Sequence, residues 1–424
     1  MNAHARTLSW VPTLYFAEGL PYVIVMTVAG IMYKNLGLSN AELALYTSWL
    51  YLPWVIKPLW SPVVDTLRTR REWTWATQAI LALGLLGIGL SLSSGNWLQL
   101  TLIFLWLMAI TSATHDIAAD GFYMLALDDN QQAFYVGFRS TFYRIAMWAG
   151  EGGMLILAGY LAGEDPSFAA YTGAWRWTFL AAGAVLGLLA LYHGLVLPQP
   201  STDRAGHRQQ LWGEMGQAFV SFFQKSQIGL VLAFLLLYRL GEAQLVKLAG
   251  PFLLDTNAAG GLGLSTEAVG WINGTVGVGA LIAGGILGGI LAARYGLKAW
   301  FWPMILAMNL PNLAYWLLAV YQPENELWVT LAVGLEKFGY GFGFTAFVLY
   351  LLYVARGNHP TAHYAIGTGF MALGMMLPGL ISGYVQEWLG YPGFFLWVLG
   401  STLPGMALAW LVWRELDPAF GRKN

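Results

Sequence analysis

Pro198-Gln-Pro-Ser-Thr-Asp-Arg-Ala-Gly-His-Arg-Gln-Gln210 opens the one long polar interruption of a chain that is otherwise apolar almost throughout. Continued to Lys225, it separates two stretches that each read as six apolar runs. A membrane-crossing helix needs about 20 such residues. The expected spans are 8–33, 41–64, 73–94, 98–127, 133–162 and 174–197 before the interruption. After it come 226–254, 267–293, 298–320, 327–354, 361–386 and 391–414. The reading is an all-α polytopic membrane protein with a bundle over 1–197, a linker over 198–225 and a second bundle over 226–424.

Composition agrees. The chain is 57% hydrophobic and 10% charged, with mean hydropathy +0.56, whereas soluble domains carry about 25% charged residues. Fifty-one glycines and 17 prolines fit membrane helices, which tolerate both better than soluble ones do. A net charge of −1 offers nothing to nucleic acid, and the absence of cysteine excludes disulfides and thiolate metal sites. The first apolar run carries Glu18 and leads straight into further spans, unlike a cleavable signal.

Orientation follows from the cations. With the N-terminus inside, the cytoplasmic segments hold Arg6, Arg68, Arg70, Arg71, Arg204, Arg208, Lys225, Arg294, Lys298, Arg356, Arg414, Arg422 and Lys423, against Lys34 and Arg176 outside. That asymmetry predicts both termini in the cytoplasm. Tandem six-span halves are the arrangement of major facilitator transporters, with solute held at the midplane between halves. A short repeat supports duplication: Leu14-Tyr15-Phe-Ala-Glu18-Gly19 in span 1 and Leu237-Tyr238-Arg-Leu-Gly241-Glu242 in span 7.

Away from the span ends lie six cations (Lys57, Arg139, Arg144, Arg239, Lys247, Lys337) and six anions (Glu18, Asp116, Asp120, Glu151, Glu242, Glu336). A charge at the bilayer centre costs roughly 2.5–3.5 kcal/mol on insertion scales, so equal numbers imply a paired polar interior. Asp116 and Asp120, four apart, share a helical face and disfavour double ionisation. They are the first candidates for proton coupling, with Glu18 and Glu242 beside them and Arg139 and Arg144 as expected partners; static ion pairing is the structural alternative. His115 points elsewhere on that helix. Lys57, in a helix with Pro53, Pro58 and Pro62, either holds a solute carboxylate or pairs with Glu18. Arg239 and Glu242, one turn apart, are placed to neutralise each other. Glu336 and Lys337 are adjacent, so at least one seeks a partner elsewhere.

Asp65-Thr-Leu-Arg68-Thr-Arg70-Arg71 resembles the cytoplasmic loop motif of major facilitators, which implies a gating role; positive-inside anchoring is the plainer reading. The glycines of span 8 (Gly274, Gly277, Gly279, Gly284, Gly285, Gly288, Gly289) predict close helix packing. His359-Pro-Thr-Ala-His363 has zinc-like spacing, but its proline and loop position argue against a metal helix, and no metal or other cofactor is expected.

Gly19-Leu20-Pro21, Lys57-Pro-Leu-Trp60-Ser61-Pro62-x-x-Asp65 and Ser112-Ala-Thr-His-Asp116-Ile-x-x-Asp120 resemble AmpG-type muropeptide permeases. So do Glu267-x-Val-Gly270, Asn312-x-x-Tyr315-Trp316-Leu317 and Gly343-x-x-Ala346-Phe347 in the second half. Span 5, with Phe138, Phe142, Tyr143 and Trp148, is more aromatic than that pattern. The resemblance implies proton-driven import of 1,6-anhydro-muropeptides across a bacterial inner membrane by a monomeric protein that is not an enzyme. Such anionic amphiphiles suit cations at Lys57, Arg139, Arg144, Arg239 or Lys337, with Glu336 beside the last, and aromatic platforms at Trp54, Trp60, Tyr143 or Trp148. Siderophores and other anionic conjugates suit the same features; an intramembrane enzyme is the alternative from another class.

Overall fold

The computed structural model describes residues 7–421 apart from 165, 202, 204–207 and 358. Arg6, Arg204, Arg422 and Lys423 of the orientation count lie outside the described residues. The described residues form helices and connecting turns, with no strand. Ten stretches are long and apolar enough to cross a membrane. One of them, Pro360–Glu415, is spans 11 and 12 fused across a kink at Gly390, whose φ of 67° only glycine adopts readily. Span 2 is the crossing that does not qualify; it runs as Asn40–Trp49 and Leu52–Leu67, and Lys57 and its prolines lower its hydropathy. All twelve sequence-predicted spans are therefore present as helix.

Several spans are interrupted, and the causes differ. Span 9 divides into Leu297–Asn309 and Asn312–Tyr321 at Pro311, which cannot donate to the helical ladder. Span 7 divides into Ile228–Leu237 and Leu240–Leu254 without any proline. Spans 1, 5 and 8 carry π-helical segments at Ile24–Val28, Ala149–Met154 and Gly270–Gly277, a widened geometry often found at functional positions. One element went unanticipated: Arg208–Phe223 is a helix inside the expected linker, its Pro-rich start having masked the run that follows.

Contacts divide the chain into two compact units. The first comprises Met1–Leu36 and Ile56–Glu214, and the second Gly37–Val55 and Met215–Asn424. In the first, Trp10, Tyr15, Phe122 and Tyr123 pack spans 1 and 4 together. Span 5 closes on span 1 at Gly19, where an added Cβ would stand 3.0 Å from the Tyr143 carbonyl oxygen. In the second, Phe234, Tyr238, Phe301 and Phe347 form an aromatic core, with the Tyr238 and Phe347 rings stacked at 5.3 Å. The predicted glycine packing of span 8 is realised at Gly284 and Gly288, where a Cβ would overlap the Phe338 carbonyl and crowd Thr345 of span 10. Gly279 and Gly289 face open space.

Candidate functional site

Span 4 runs unbroken from Trp97 to Ala126 and carries Asp116 and Asp120 into the first unit on one face. Each aspartate meets a cation from a different span. Lys57, on Leu52–Leu67 of span 2, donates to Asp116 Oδ2. Arg139, on Asp129–Trp148 of span 5, reaches Asp120 Oδ1 at 2.7 Å. The Tyr15 hydroxyl of span 1 donates to the same oxygen at 3.2 Å. The Arg139 guanidinium lies 4.6 Å from the Tyr15 ring centre and 5.9 Å from that of Tyr123. Stacking and the Asp120 bond together fix its plane, a geometry lysine cannot reproduce.

These charges are not sealed. The Asp120 and Arg139 side chains are 35% and 33% exposed, and those of Asp116 and Lys57 are 26% and 19% exposed. Glu18, one turn beyond Tyr15, is buried against them, within the fields of both aspartates and both cations, and its Oε2 has no hydrogen-bond partner. Two cations thus face three carboxylates, and Glu18 is the one without an ion pair. Tyr143 stands beside Glu18 and the aspartates.

Other candidates fall elsewhere. Lys57 takes Asp116, so the alternative of a Lys57–Glu18 pair is not realised. Arg139, rather than Arg144, holds Asp120, because Arg144 lies five residues further along span 5 on another part of the helix surface. Trp60 is half-buried with its indole N–H unpartnered, whereas Trp148 is 45% exposed and Trp54 belongs to the second unit. His115 does point away from the carboxylates. It sits in a polar chain, buried at Gln78, His115 and His193 and half-buried at Thr13, that spacing could not reveal, since its members come from four spans. Gln78 bridges the two imidazoles, its amide nitrogen 2.9 Å from His115 Nε2 and its oxygen 2.7 Å from His193 Nδ1. His193 Nε2 continues to Thr13 Oγ1 at 2.9 Å. We expect Gln78→Leu to lower unfolding stability by about 2 kcal/mol or more, since it orphans two buried ring nitrogens at roughly 1–3 kcal/mol each. Thermal unfolding in detergent checks this; a melting temperature equal to wild type would refute it.

The loop motif has a structural task of its own. Arg71 donates to the carbonyls of Gly194 and Leu197 at the end of span 6, satisfying acceptors a helix C-terminus leaves open. The Arg70 and Arg71 backbone N–H groups donate to Asp203 at 2.8 and 3.0 Å, while Arg68 makes only an exposed 4.0 Å approach to Glu72. The Asp65 side chain lies outside the described residues.

The second unit repeats the theme with different chemistry. Tyr238, the counterpart of Tyr15, donates to the Gly343 carbonyl of span 10, as Tyr15 does to span 4. Glu242 is 1% exposed, and neither carboxylate oxygen has a hydrogen-bond partner. Arg239 acts on Glu242 through its charge without a hydrogen bond to it among the described residues: it donates to the Tyr340 hydroxyl at 2.6 Å and lies over the Phe344 ring at 4.9 Å. The span 7 break makes Arg239 the residue at the N-cap of Leu240–Leu254. Glu336 is buried near Tyr315, and Lys337 lies against Gly277 of span 8.

Twelve crossings, tandem polar clusters and the repeated Tyr–Glu element define a polytopic transporter. The sequence profile of the Major Facilitator Superfamily matches residues 13–241, and the chain belongs to that family. It is 27% identical to the anhydromuropeptide permease of Escherichia coli (strain K12), the match covering 93% of this chain and 77% of the relative. It is 24% identical to a putative transporter, AmpG 4, of Rickettsia conorii, over 93% of each. In fold it resembles the crystal structure of a D-xylose–proton symporter, with TM-score 0.75, 13% identity and 99% of each chain covered. It also resembles a bacterial homologue of the human lysosomal transporter Spinster, with TM-score 0.71, 16% identity and 98% of each chain covered. The family and its relatives are transporters rather than enzymes.

Proposed function

We propose that this protein imports 1,6-anhydro-muropeptides with protons across a bacterial inner membrane, both termini lying in the cytoplasm. The observation that carries the reading is the pair of ion pairs, Lys57–Asp116 and Arg139–Asp120, with Glu18 buried beside them. The likeness to the anhydromuropeptide permease of Escherichia coli supports the choice of solute. An anionic solute competes with the aspartates for Lys57 and Arg139. Each aspartate so displaced loses its counter-charge in a low-dielectric interior and gains proton affinity. Solute and proton then enter together because neither is stable there alone. Relaxation of the two ion pairs frees spans 2, 4 and 5 to move, with Arg68, Arg70 and Arg71 closing the cytoplasmic end. The proton gradient supplies the drive, with no cofactor, and the monomer is the working unit.

The test is uptake of labelled GlcNAc-anhydroMurNAc-peptide into proteoliposomes under an imposed pH gradient. Wild type accumulates solute and collapses with a protonophore, while Asp116→Asn and Asp120→Asn accumulate none. Gradient-dependent uptake at wild-type level in both variants would overturn the reading. Because the chain has no cysteine, a single cysteine placed near each terminus reports orientation by its accessibility.

A further inference from the structure

At one end of the second unit, the helix Ile228–Leu237 begins and the helices Glu326–Ala355 and Pro360–Glu415 end around a common cavity of about 420 Å³. Its rim carries Lys225, Tyr350 and Arg356, and its floor is apolar, with Leu230, Val231 and Val412. Helix ends mark the level where hydrocarbon gives way to headgroups, so the cavity opens at a membrane boundary.

Four features converge on an anion. The Arg356 guanidinium carbon lies 4.3 Å from the Phe420 ring centre, and its N–H groups meet no acceptor among the described residues. Lys225 Nζ donates to the Arg356 carbonyl at 2.8 Å, which uses one of its three protons. Tyr350 is only 5% exposed, yet its hydroxyl has no partner among the described residues. Ile228–Leu237 starts after Gln227 in the left-handed region, φ 56°, with no side-chain cap, so its first-turn N–H groups are open. Against these the rim holds one acid, Glu415. The cavity far exceeds a phosphate ion, and its apolar floor is no place for a fully hydrated one.

We propose that this cavity binds the phosphate of an anionic phospholipid headgroup, with Arg356 and Lys225 as counter-charges, Tyr350 as a neutral donor and the apolar floor receiving the upper acyl chain. Basic pockets between helix ends are a known chemistry for such headgroups. The site lies outside the charged clusters assigned to transport and stands independently of that reading.

The full-length protein in detergent is titrated with phosphatidylglycerol, phosphatidylcholine or inorganic phosphate, and read by native mass spectrometry and thermal unfolding. Phosphatidylglycerol is expected to remain as a single adduct and to raise the melting temperature, and phosphatidylcholine to do neither. Lys225→Gln with Arg356→Gln should weaken the adduct about tenfold or more, the usual scale for losing two charge contacts to a headgroup. Tyr350→Phe leaves charge unchanged and should weaken it severalfold, separating a seated headgroup from diffuse attraction. Equal retention of both lipids, wild-type retention by Tyr350→Phe, or a full thermal shift from inorganic phosphate alone would each overturn the proposal.

Discussion

Replacing Lys57 with methionine is expected to cost the folded protein roughly 2.5–3.5 kcal/mol, the price of a mid-membrane charge left without its partner, and to abolish solute uptake. Among the described residues Asp116 has no other cation within bonding distance, and Arg139 is committed to Asp120 and to the Tyr15 ring. Asp116→Leu alone should be as damaging for the mirror reason. Joined in one chain, Lys57→Met and Asp116→Leu remove both charges and should recover most of the stability, since each single change leaves an uncompensated ion and the double change does not. Uptake should stay absent in the double variant, because the cation proposed to meet solute is gone. Thermal unfolding and proteoliposome uptake together separate the outcomes. Additive losses of stability would mean that the pair is not an energetic unit in the membrane, and restored uptake would remove Lys57 from the solute path.

Glu18→Gln should divide the transport cycle. Glutamine keeps the shape and neutrality of a protonated carboxyl but cannot release a proton. In the proposed cycle Glu18, the carboxylate left without an ion pair, hands its proton to an aspartate that solute displaces and is then reprotonated from outside. We expect Glu18→Gln to exchange labelled for unlabelled solute at close to the wild-type rate, while uptake driven by a pH gradient falls about 100-fold, equivalent to a coupling of roughly 2.7 kcal/mol. Loss of exchange and driven uptake in parallel would assign Glu18 to the fold or to solute contact instead of coupling.

Much of this was legible in the chain. Twelve spans followed from apolar length, the Asp116/Asp120 face from a spacing of four, and the Tyr–Glu repeat from two six-residue stretches. What spacing along one helix cannot encode is which helix stands opposite. Lys57 had Glu18 or solute as reasonable partners, and only its side chain's reach to span 4 in three dimensions selects Asp116. Arg144 and Arg139 looked equivalent until the turn of span 5 put one of them on Tyr15. Gln78, His115 and His193 were each a lone polar residue in an apolar run, and no periodicity links residues from spans 3, 4 and 6. The break in span 7 likewise hid from composition, because it falls at Tyr238–Arg239 while the span's one proline, Pro251, lies well beyond it.

The Gln78 bridge has a bearing on proton counting. One amide offers a single oxygen and a single NH2 group at its two contacts, so it accepts one protonated ring nitrogen and one bare one, whichever way it is turned. At least one of the two imidazoles is therefore neutral, and reversing the amide merely exchanges their tautomers. A cluster so wired can relabel its protons without storing an extra pair. In the proposed cycle the His115–His193 pair can therefore account for at most one H⁺ per solute, and any count above one belongs to the carboxylates.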